Sequence, residues 1–474
     1  MPVMHALSCA AVGLWVSVGA SQSPDVSGRA ITVHYTVMDQ ESRRYVYVPL
    51  EIPDGITSFT IRYDYDTKGG ANAIDIGVIE PGPLTLGGAA IRGWSGGARS
   101  EVRIGVDDAS PGYWPGPIPA GTWHVVFGLY KVAPEGVDVT IESSLSREPR
   151  KAFVPPRHEK DVIVRRGGAW YSGITHAHTI ESDGARSTAE LIDKARAERL
   201  DFLFITDHNN TTHQRFALER PDLLVITGEE VTTPAGHFNA WGIDGWPRPV
   251  DFRVAAGDPA LDMLIASAHD RGALIGINHP VSDCLACTWT HGIPASVDAM
   301  EIANGQPAAR QQAMAIWDTV LRSGRRMTAV EGRDWHRGDE RLGTPSLRVW
   351  AEELSRPAIL DGLRHGRAIV VADNTMPAPE VTMRGRGVTA RIGDTLTIDS
   401  GDPIAIHIAV RGRRAGQRAE WVWNGEVVTT IPVPESGVMT FDRHMRASGY
   451  ARVHLLAPDG SLLAVTNPIY VVVR

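Results

Sequence analysis

The sequence predicts a multidomain chain: a central β/α region whose parallel sheet closes into a barrel, flanked on each side by a β-sandwich-like domain. Three observations predict it. The 474 residues are enough for two to four domains. From about 168 to 373, short apolar strands alternate with amphipathic helical patterns, the rhythm of repeated β-α units. Before and after that stretch the chain reads as short β-branched and aromatic runs between Gly- and Pro-rich turns. The expected boundaries are a leader at 1–22, a first β domain at 25–160, the barrel at 165–375 and a second β domain at 376–474.

The N-terminal run of uncharged apolar residues ends at Val18-Gly19-Ala20, a small-residue cleavage pattern. It predicts a secretory leader, although no Lys or Arg precedes the run. It is too short for a stable membrane span, so a periplasmic or secreted protein is expected. The composition, 43% hydrophobic and 22% charged, is that of a globular chain, and the net charge of -8 argues against a nucleic-acid-binding surface. Of three cysteines, Cys9 would leave with the leader. Cys284 and Cys287 form a C-x-x-C, which an exported chain would use as a disulfide or, alternatively, as two thiolate metal ligands.

Ile31 to Val37, Tyr45 to Val48, Ser58 to Tyr63 and Trp123 to Tyr130 are the strand-like runs of the first β domain, and a Pro- and charge-rich linker near Val154-Pro-Pro-Arg157 closes it. Ser187-Thr-Ala-Glu190 is a capping box opening a helix with Leu191, Ile192, Ala195 and Leu200 on one side. Apolar strands follow at Phe202–Ile205, Leu223–Ile226, His237–Ile243, Leu274–Ile277, Ala299–Ile302 and Met327–Val330, with helical patterns at Leu261–Asp270 and Ala308–Leu321. In the last domain Asn424-Gly425 marks a hairpin.

Polar residues gather where these strands end. His176-Ala-His178 sets two imidazoles on one face of an extended segment, with Asp183 in the turn beyond. Asp207-His208, Glu229-Glu230, His237, His279 and Asp334-Trp335-His336 follow the later strands. In a parallel barrel these ends share one rim, where function is assembled. The same types at this density suit a borderline divalent metal such as zinc, manganese or iron. Strand alternation lets only one of Glu229 and Glu230 face the pocket, and the Gly-x-Glu spacing favours Glu230. Asp207 either orients a ligand or caps a turn. His213, His269 and His365 read as solvated, as do His291, Arg333, Arg337 and Asn209, although these last four could instead touch a leaving group or substrate oxygen. Trp289 lines a pocket or packs a loop.

His176-Ala-His178 with Asp183, Thr206-Asp-His208, Gly228-Glu-Glu230, His237, Asn278-His279-Pro280 and Asp334-Trp-His336 resemble, in order, the motifs of the polymerase-and-histidinol-phosphatase (PHP) superfamily. Gly236-His-Phe-Asn239, the C-x-x-C with Trp289, and Thr466-Asn-Pro-Ile-Tyr470 resemble its exported branch that includes carbaryl hydrolase. Arg333 stands where that resemblance expects a small residue. The resemblance covers about two hundred residues and implies a distorted (β/α)7 barrel binding two or three divalent ions. His176, His178, Glu230 and Asp334 would hold the first. Glu230, His237 and His279 would hold the second, and Asp183, His208 and His336 the third.

The resemblance implies hydrolysis by a metal-activated water, with Asp334, Glu230 and His336 at the reacting centre. The expected substrate is a small molecule, anionic or carbonyl-containing. The resemblance implies a phosphoester, and the charge count agrees, since three carboxylates against three divalent ions leave three positive charges and against two ions one. A carbamate, aryl ester or amide is the alternative, and a non-catalytic surface-binding protein is the alternative of another class.

Overall fold

In this computed structural model the described residues are the strands at 16–17 and 29–35, then 45–474 except 159–160, 244–247, 283, 285 and 377–378. The expected leader lies outside them apart from Val16–Ser17. The β-branched and aromatic runs before 150 form strands as their alternation dictates. They are β1 (Val16–Ser17), β2 (Arg29–Tyr35), β3 (Tyr45–Ile52), β4 (Ser58–Tyr65), β5 (Ala73–Ile79), β6 (Ile91–Gly96), β7 (Glu101–Gly105), β8 (Gly121–Lys131) and β9 (Val137–Ser146). Residues 1–81, 96–110 and 115–153 make one compact unit; 82–95, 111–114 and 154–474 make another.

In the first unit β1-β2-β9-β4-β7 form one antiparallel sheet, and β3, β8 and β5 belong to a second. Phe59 and Tyr63 of β4 meet Trp123 and Phe127 of β8, with ring centroids 5.2 and 5.5 Å apart. Those rings, with buried Ile61, Ile76, Val125, Val139 and Ile141, are the core between the two sheets.

The second unit holds a mixed sheet. Its central strands are β10 (Arg165–Ile174), β11 (Phe202–Ile205), β12 (Leu224–Thr233), β13 (Gly236–Trp241), β14 (Leu274–Ile277), β15 (Ala299–Glu301), β16 (Thr328–Val330), β17 (Ser346–Leu354) and β18 (Ala368–Val371). The spatial order is β16-β15-β14-β13-β12-β11-β10-β17-β18. Helices α1 (Thr188–Ala197), α2 (Ala260–Asp270), α3 (Pro307–Arg322) and α4 (Arg356–Arg364) connect some of them. α1 begins where predicted, with Ser187 and Glu190 exchanging cap hydrogen bonds.

The sheet is not uniformly parallel, which corrects the expected run of β-α units. β12–β13 and β13–β14 pair antiparallel, whereas β10–β11, β11–β12, β14–β15 and β15–β16 are parallel. Only Pro234-Ala235 separates β12 from β13, too short for the crossover that parallel neighbours need. No ladder joins β16 to β18 or closes the sheet into a barrel among the described residues. One isolated parallel bridge, Ala177 to Trp335, links the chain just past β10 to the chain just past β16.

The last strands are β19 (Glu380–Gly385), β20 (Val388–Arg391), β21 (Thr395–Ile398), β22 (Pro403–Ala409), β23 (Arg418–Trp423), β24 (Glu426–Pro432), β25 (Val438–His444), β26 (Gly449–Leu456), β27 (Leu462–Thr466) and β28 (Ile469–Val473). The Asn424-Gly425 hairpin joins β23 to β24 as expected. β27 pairs with β18, so the large sheet runs on into β26, β23 and β24 without a break at 376. Ile369 and Val371 share one core with Ile404, Ile406, Trp421 and Val453.

A buried ion pair strengthens that junction. Arg452 of β26 reaches both carboxylate oxygens of Asp318 on α3, and Tyr450 Oη donates to Asp318 at 2.8 Å. Removing one member of such a pair strands the other charge, at a typical cost of about 3–5 kcal/mol. Asp318→Ala should therefore lower unfolding free energy by about that amount in a urea titration, while substitution of exposed Asp339 should leave it unchanged.

Candidate metal centre

Beyond β10 the chain stays extended: Trp335 N donates to His176 O, and His178 N to Trp335 O. His176 and His178 therefore share a face, as the spacing predicts. The other donors arrive from neighbouring strand ends. His208 follows β11, His237 opens β13, His279 follows β14, and Asp334 and His336 follow β16. Glu230 lies inside β12 rather than beyond it, because that strand continues to Thr233.

Four donor atoms converge. His176 Nε2 and His178 Nε2 are 3.0 Å apart. Glu230 Oε2 lies 3.2 Å from the first and 3.3 Å from the second, and Asp334 Oδ1 lies 3.2 Å from both. A regular tetrahedron of donors about 2.0 Å from its centre has edges of about 3.3 Å. The five spacings fit one divalent cation of that bond length.

Two further groups adjoin this one. His208, Glu230 and His237 can hold a cation together, as can His178, Asp183, His208 and His336. The grouping differs from the expected one in three respects, the first being that His178 joins Asp183, His208 and His336. His208 joins Glu230 and His237, its Nδ1 being 2.9 Å from Glu230 Oε2 while its Nε2 faces Asp183 at 3.7 Å. His279 stands outside that tight group, yet its Nε2 is 3.0 Å from Glu230 Oε1. His237 Nε2 is buried with no hydrogen-bond partner among the described residues, a lone pair or proton left for something else. All nine residues expected from the sequence are thus gathered at one place.

Charge balance in the cluster calls for cations. Burial opposes ionisation of Glu230, but His208, His176 and His237 pull its carboxyl well below the usual range. Burial also opposes ionisation of Asp334, which His176, His178 and His336 hold well below its ordinary value. Conversely, burial would lower His176, yet Asp334 and Glu230 raise it well above 6.5. Against the same penalty, Glu230 and Asp183 push His208 up to about 10. Only His237 yields to burial, falling to about 4. Protons on imidazoles supply the positive charge that the carboxylates demand. A divalent ion would supply it and release those protons.

Around the donors lies a layer of which the sequence reading singled out Asp207 alone. Glu301, ending β15, is wholly buried. Its Oε1 sits 2.6 Å from His176 Nδ1, and its Oε2 accepts His279 N at 2.7 Å. That contact fixes the ring with Nε2 turned inward, the usual role of a carboxylate behind a ligating histidine. Glu331, also buried, accepts Thr175 N and Oγ1 at 2.6 and 2.8 Å. Asp207 accepts Thr179 N, Thr179 Oγ1 and Ser182 Oγ, each at 2.8–2.9 Å, and faces His213 Nδ1 at 3.1 Å. It anchors the turn from His178 to Asp183. His213, expected in solvent, is buried because it completes that anchor.

Other expectations resolve simply. Glu229 faces away from the cluster, taking Val250 N at 2.8 Å. Arg333 turns its guanidinium to Glu340 and Arg341 O, away from the donors. Asn209 bonds the backbone of Thr232 in both directions, and His291 Nε2 faces Thr233 Oγ1 at 2.8 Å. His269 pairs with Asp298 at 2.9 Å, and Arg337 is exposed. Cys284 and Cys287 form a disulfide. Trp289 packs edge-on to Phe238 above Gly236, where a Cβ would come within 2.7 Å of the Trp289 backbone.

No protein-family model matches this chain, and no curated protein matches it. Among solved structures it is similar to a two-domain protein from Bacteroides vulgatus containing a predicted PHP-like metal-dependent phosphoesterase. The identity is 17% and the TM-score 0.34, over 67% of this chain and 100% of that one. It is similar to PsfC from Pseudomonas syringae, with 16% identity and a TM-score of 0.28 over 39% of this chain and 82% of that one. An amidohydrolase from Chromobacterium violaceum, with bound sulfate and no metal, gives 17% and 0.27 over 36% and 89%. These are distant likenesses.

Two measurements probe the supporting layer. Glu301→Ala should weaken zinc affinity about 10- to 100-fold in a chelator competition, since the His176 ring loses its orienting partner. Burial pushes Glu331 up to about 7. A carboxyl raised in the folded state keeps its proton when the unfolded chain has lost it, so its contribution to stability falls as pH rises from about 4.5 to about 7. Glu331→Gln should flatten the stability profile across that window, read as the urea midpoint against pH.

Proposed function

We propose that this chain is a metal-dependent hydrolase that cleaves phosphoester bonds in a small anionic substrate. The observation that carries the reading is the spacing of His176, His178, Glu230 and Asp334, which matches the coordination shell of one divalent cation. In this reading those four hold the first ion. Glu230 extends to a second with His237 and His279, His208 lying close enough to share it. Asp183, His208 and His336, with His178 beside them, hold a third. Zinc, manganese and iron all suit such nitrogen and oxygen donors.

Bound there, the ions would supply a water of lowered pKa as nucleophile and positive charge for the oxygens of the transition state. The chain's own residues bind and orient. Glu230 sits wholly buried at the floor, while Asp334 and His336 are about a quarter exposed and flank the open side. Glu301 and Asp207 hold the rings and the turn in place. Two or three divalent ions against three carboxylates leave net positive charge, which favours a phosphate over a neutral ester or carbamate.

The fold reading belongs to the same proposal. Seven strands, β10 to β16, joined at the rim by the Ala177–Trp335 bridge, are taken as a distorted barrel of the PHP kind. Export to an oxidising compartment accords with the leader-like N-terminus and the Cys284–Cys287 disulfide.

The test is metal content together with hydrolysis of p-nitrophenyl phosphate, 1-naphthyl acetate and carbaryl, before and after chelation. Two or more ions per chain are expected, with phosphatase activity lost on chelation and restored by metal. His178→Ala should lose more than the roughly 100-fold typical of an outer-layer change. Fewer than one ion per chain would turn the reading to a non-catalytic binding protein. Ester or carbaryl hydrolysis without phosphatase activity would turn it to the carbamate class.

A further inference from the structure

Away from the metal centre the second unit contains a cavity of about 470 Å³, within the range of small-molecule sites. Its wall starts from one cross-strand pair. Trp170 of β10 lies opposite Trp350 of β17, so both indoles leave the same face of the sheet. Their rings meet edge to face at 5.9 Å, and both side chains are only half-buried. Glu352 lies two residues along β17 on that face, and Gly168 sits beside it in the irregularity of β10 between Arg166 and Ala169. A Cβ built at Gly168 would lie 3.2 Å from the Trp350 ring and 3.4 Å from Glu352 Oε2. Glycine there leaves open the space beside the indole.

The remaining lining is polar and of both signs. Glu352, Glu380 and Asp394 offer acceptors, and Arg367, Arg391 and Thr382 offer donors. Glu380 also pairs with Arg411 at 2.6 Å and Arg367 with Asp361 at 3.3 Å, which fixes their orientation. A cation in this cavity would meet two guanidiniums, and an anion three carboxylates. A neutral polyol uses donors and acceptors alike, and the apolar C–H face of a sugar ring matches an exposed indole.

We propose that this cavity is a carbohydrate-binding site for a neutral pyranoside, with Trp350 as its stacking platform and Glu352 as a hydroxyl acceptor. The site is independent of the hydrolytic centre and of any reaction there.

The test is isothermal titration of the full chain with maltose, cellobiose, xylobiose and diacetylchitobiose, with choline and inorganic phosphate as charged controls. At least one disaccharide is expected to bind at one site per chain with millimolar or better affinity. Gly168→Val should weaken that binding at least about tenfold by filling the space beside the indole, with thermal melt and metal content unchanged. Glu352→Gln and Trp350→Ala should weaken it too. Binding by none of the four sugars, binding by choline or phosphate alone, or sugar binding unaffected in a folded Gly168→Val chain would overturn the proposal.

Discussion

The centre depends on one buried carboxylate. Glu230 is wholly enclosed; its Oε1 is hydrogen-bonded, while its Oε2 has imidazole nitrogens around it but no hydrogen-bond partner among the described residues. Oε1 takes Asn278 Nδ2 at 2.9 Å and faces His279 and His237 at 3.0 and 3.1 Å. Oε2 faces His208, His176 and His178 within 3.3 Å. Five imidazoles from four segments therefore point at one side chain. A lone buried charge would cost several kcal/mol, so these rings and any cation they share are the condition for Glu230 being ionised there. Its neighbour makes the contrast. Glu229 is equally buried but has one backbone donor instead of five rings, and burial pushes its pKa up to about 8. The pKa values of these adjacent glutamates are thus pushed in opposite directions because the pleat sends them to opposite faces. A slip of β12 by one residue would exchange them.

Holding so many donors inward requires unusual backbone. Asn209, His279 and Asp334 have φ of 52°, 25° and 49°, the left-handed region that residues with a Cβ seldom adopt. Each lies just beyond a strand, where the chain must turn at once for its side chain, or that of its neighbour, to face the cluster. Such conformations cost on the order of 1–3 kcal/mol each and persist when the surroundings over-determine them. At His279 a buried acid does so, at Asn209 the backbone of Thr232 does, and two further acids hold the neighbouring turns. Glu301 takes the backbone N–H of His279, Glu331 that of Thr175, and Asp207 that of Thr179. At Gly332, with φ of 75°, a Cβ would strike the Glu301 carboxyl at 2.5 Å, so the approach of that loop to its anchor needs glycine.

What was legible in the sequence follows from this arrangement. Histidines are scarce and placed at strand ends, so the first layer stood out, and strand alternation singled out Glu230 from Glu229. The second layer stood out only at Asp207, beside a ligand in the chain. Glu301 and Glu331 are single acids at the ends of apolar runs, a pattern shared with any carboxylate that caps a turn. Nothing in the chain marks that their partners are an imidazole and a backbone N–H from strands far away in sequence. His213 failed for the same reason: a histidine in a polar segment reads as solvated until the buried Asp207 it completes is placed. The antiparallel β12–β13 pair was legible in principle, since Pro234-Ala235 leaves no room for a crossover. The helix-strand rhythm on either side outweighed that signal.

The C-terminal strands illustrate the limit of reading domains from composition. Their short β-branched runs resemble those of the first 150 residues, yet β23, β24, β26 and β27 are built into the sheet that carries the centre, while β19, β20, β22 and β25 form a sheet of their own. Asn467, just past β27, shows how. Its Oδ1 accepts Ala329 N at 2.7 Å, and its Nδ2 donates to Ala329 O and Ala368 O at 2.9 and 3.0 Å. One side-chain amide thus occupies the hydrogen-bonding groups of Ala329 in β16 and ties them to β18, where no ladder runs between the two. β16 ends four residues before Asp334, and an unsatisfied N–H and C=O inside that strand would cost what an orphaned buried amide costs. The position of Asp334 therefore rests partly on a residue 133 places later in the chain than itself.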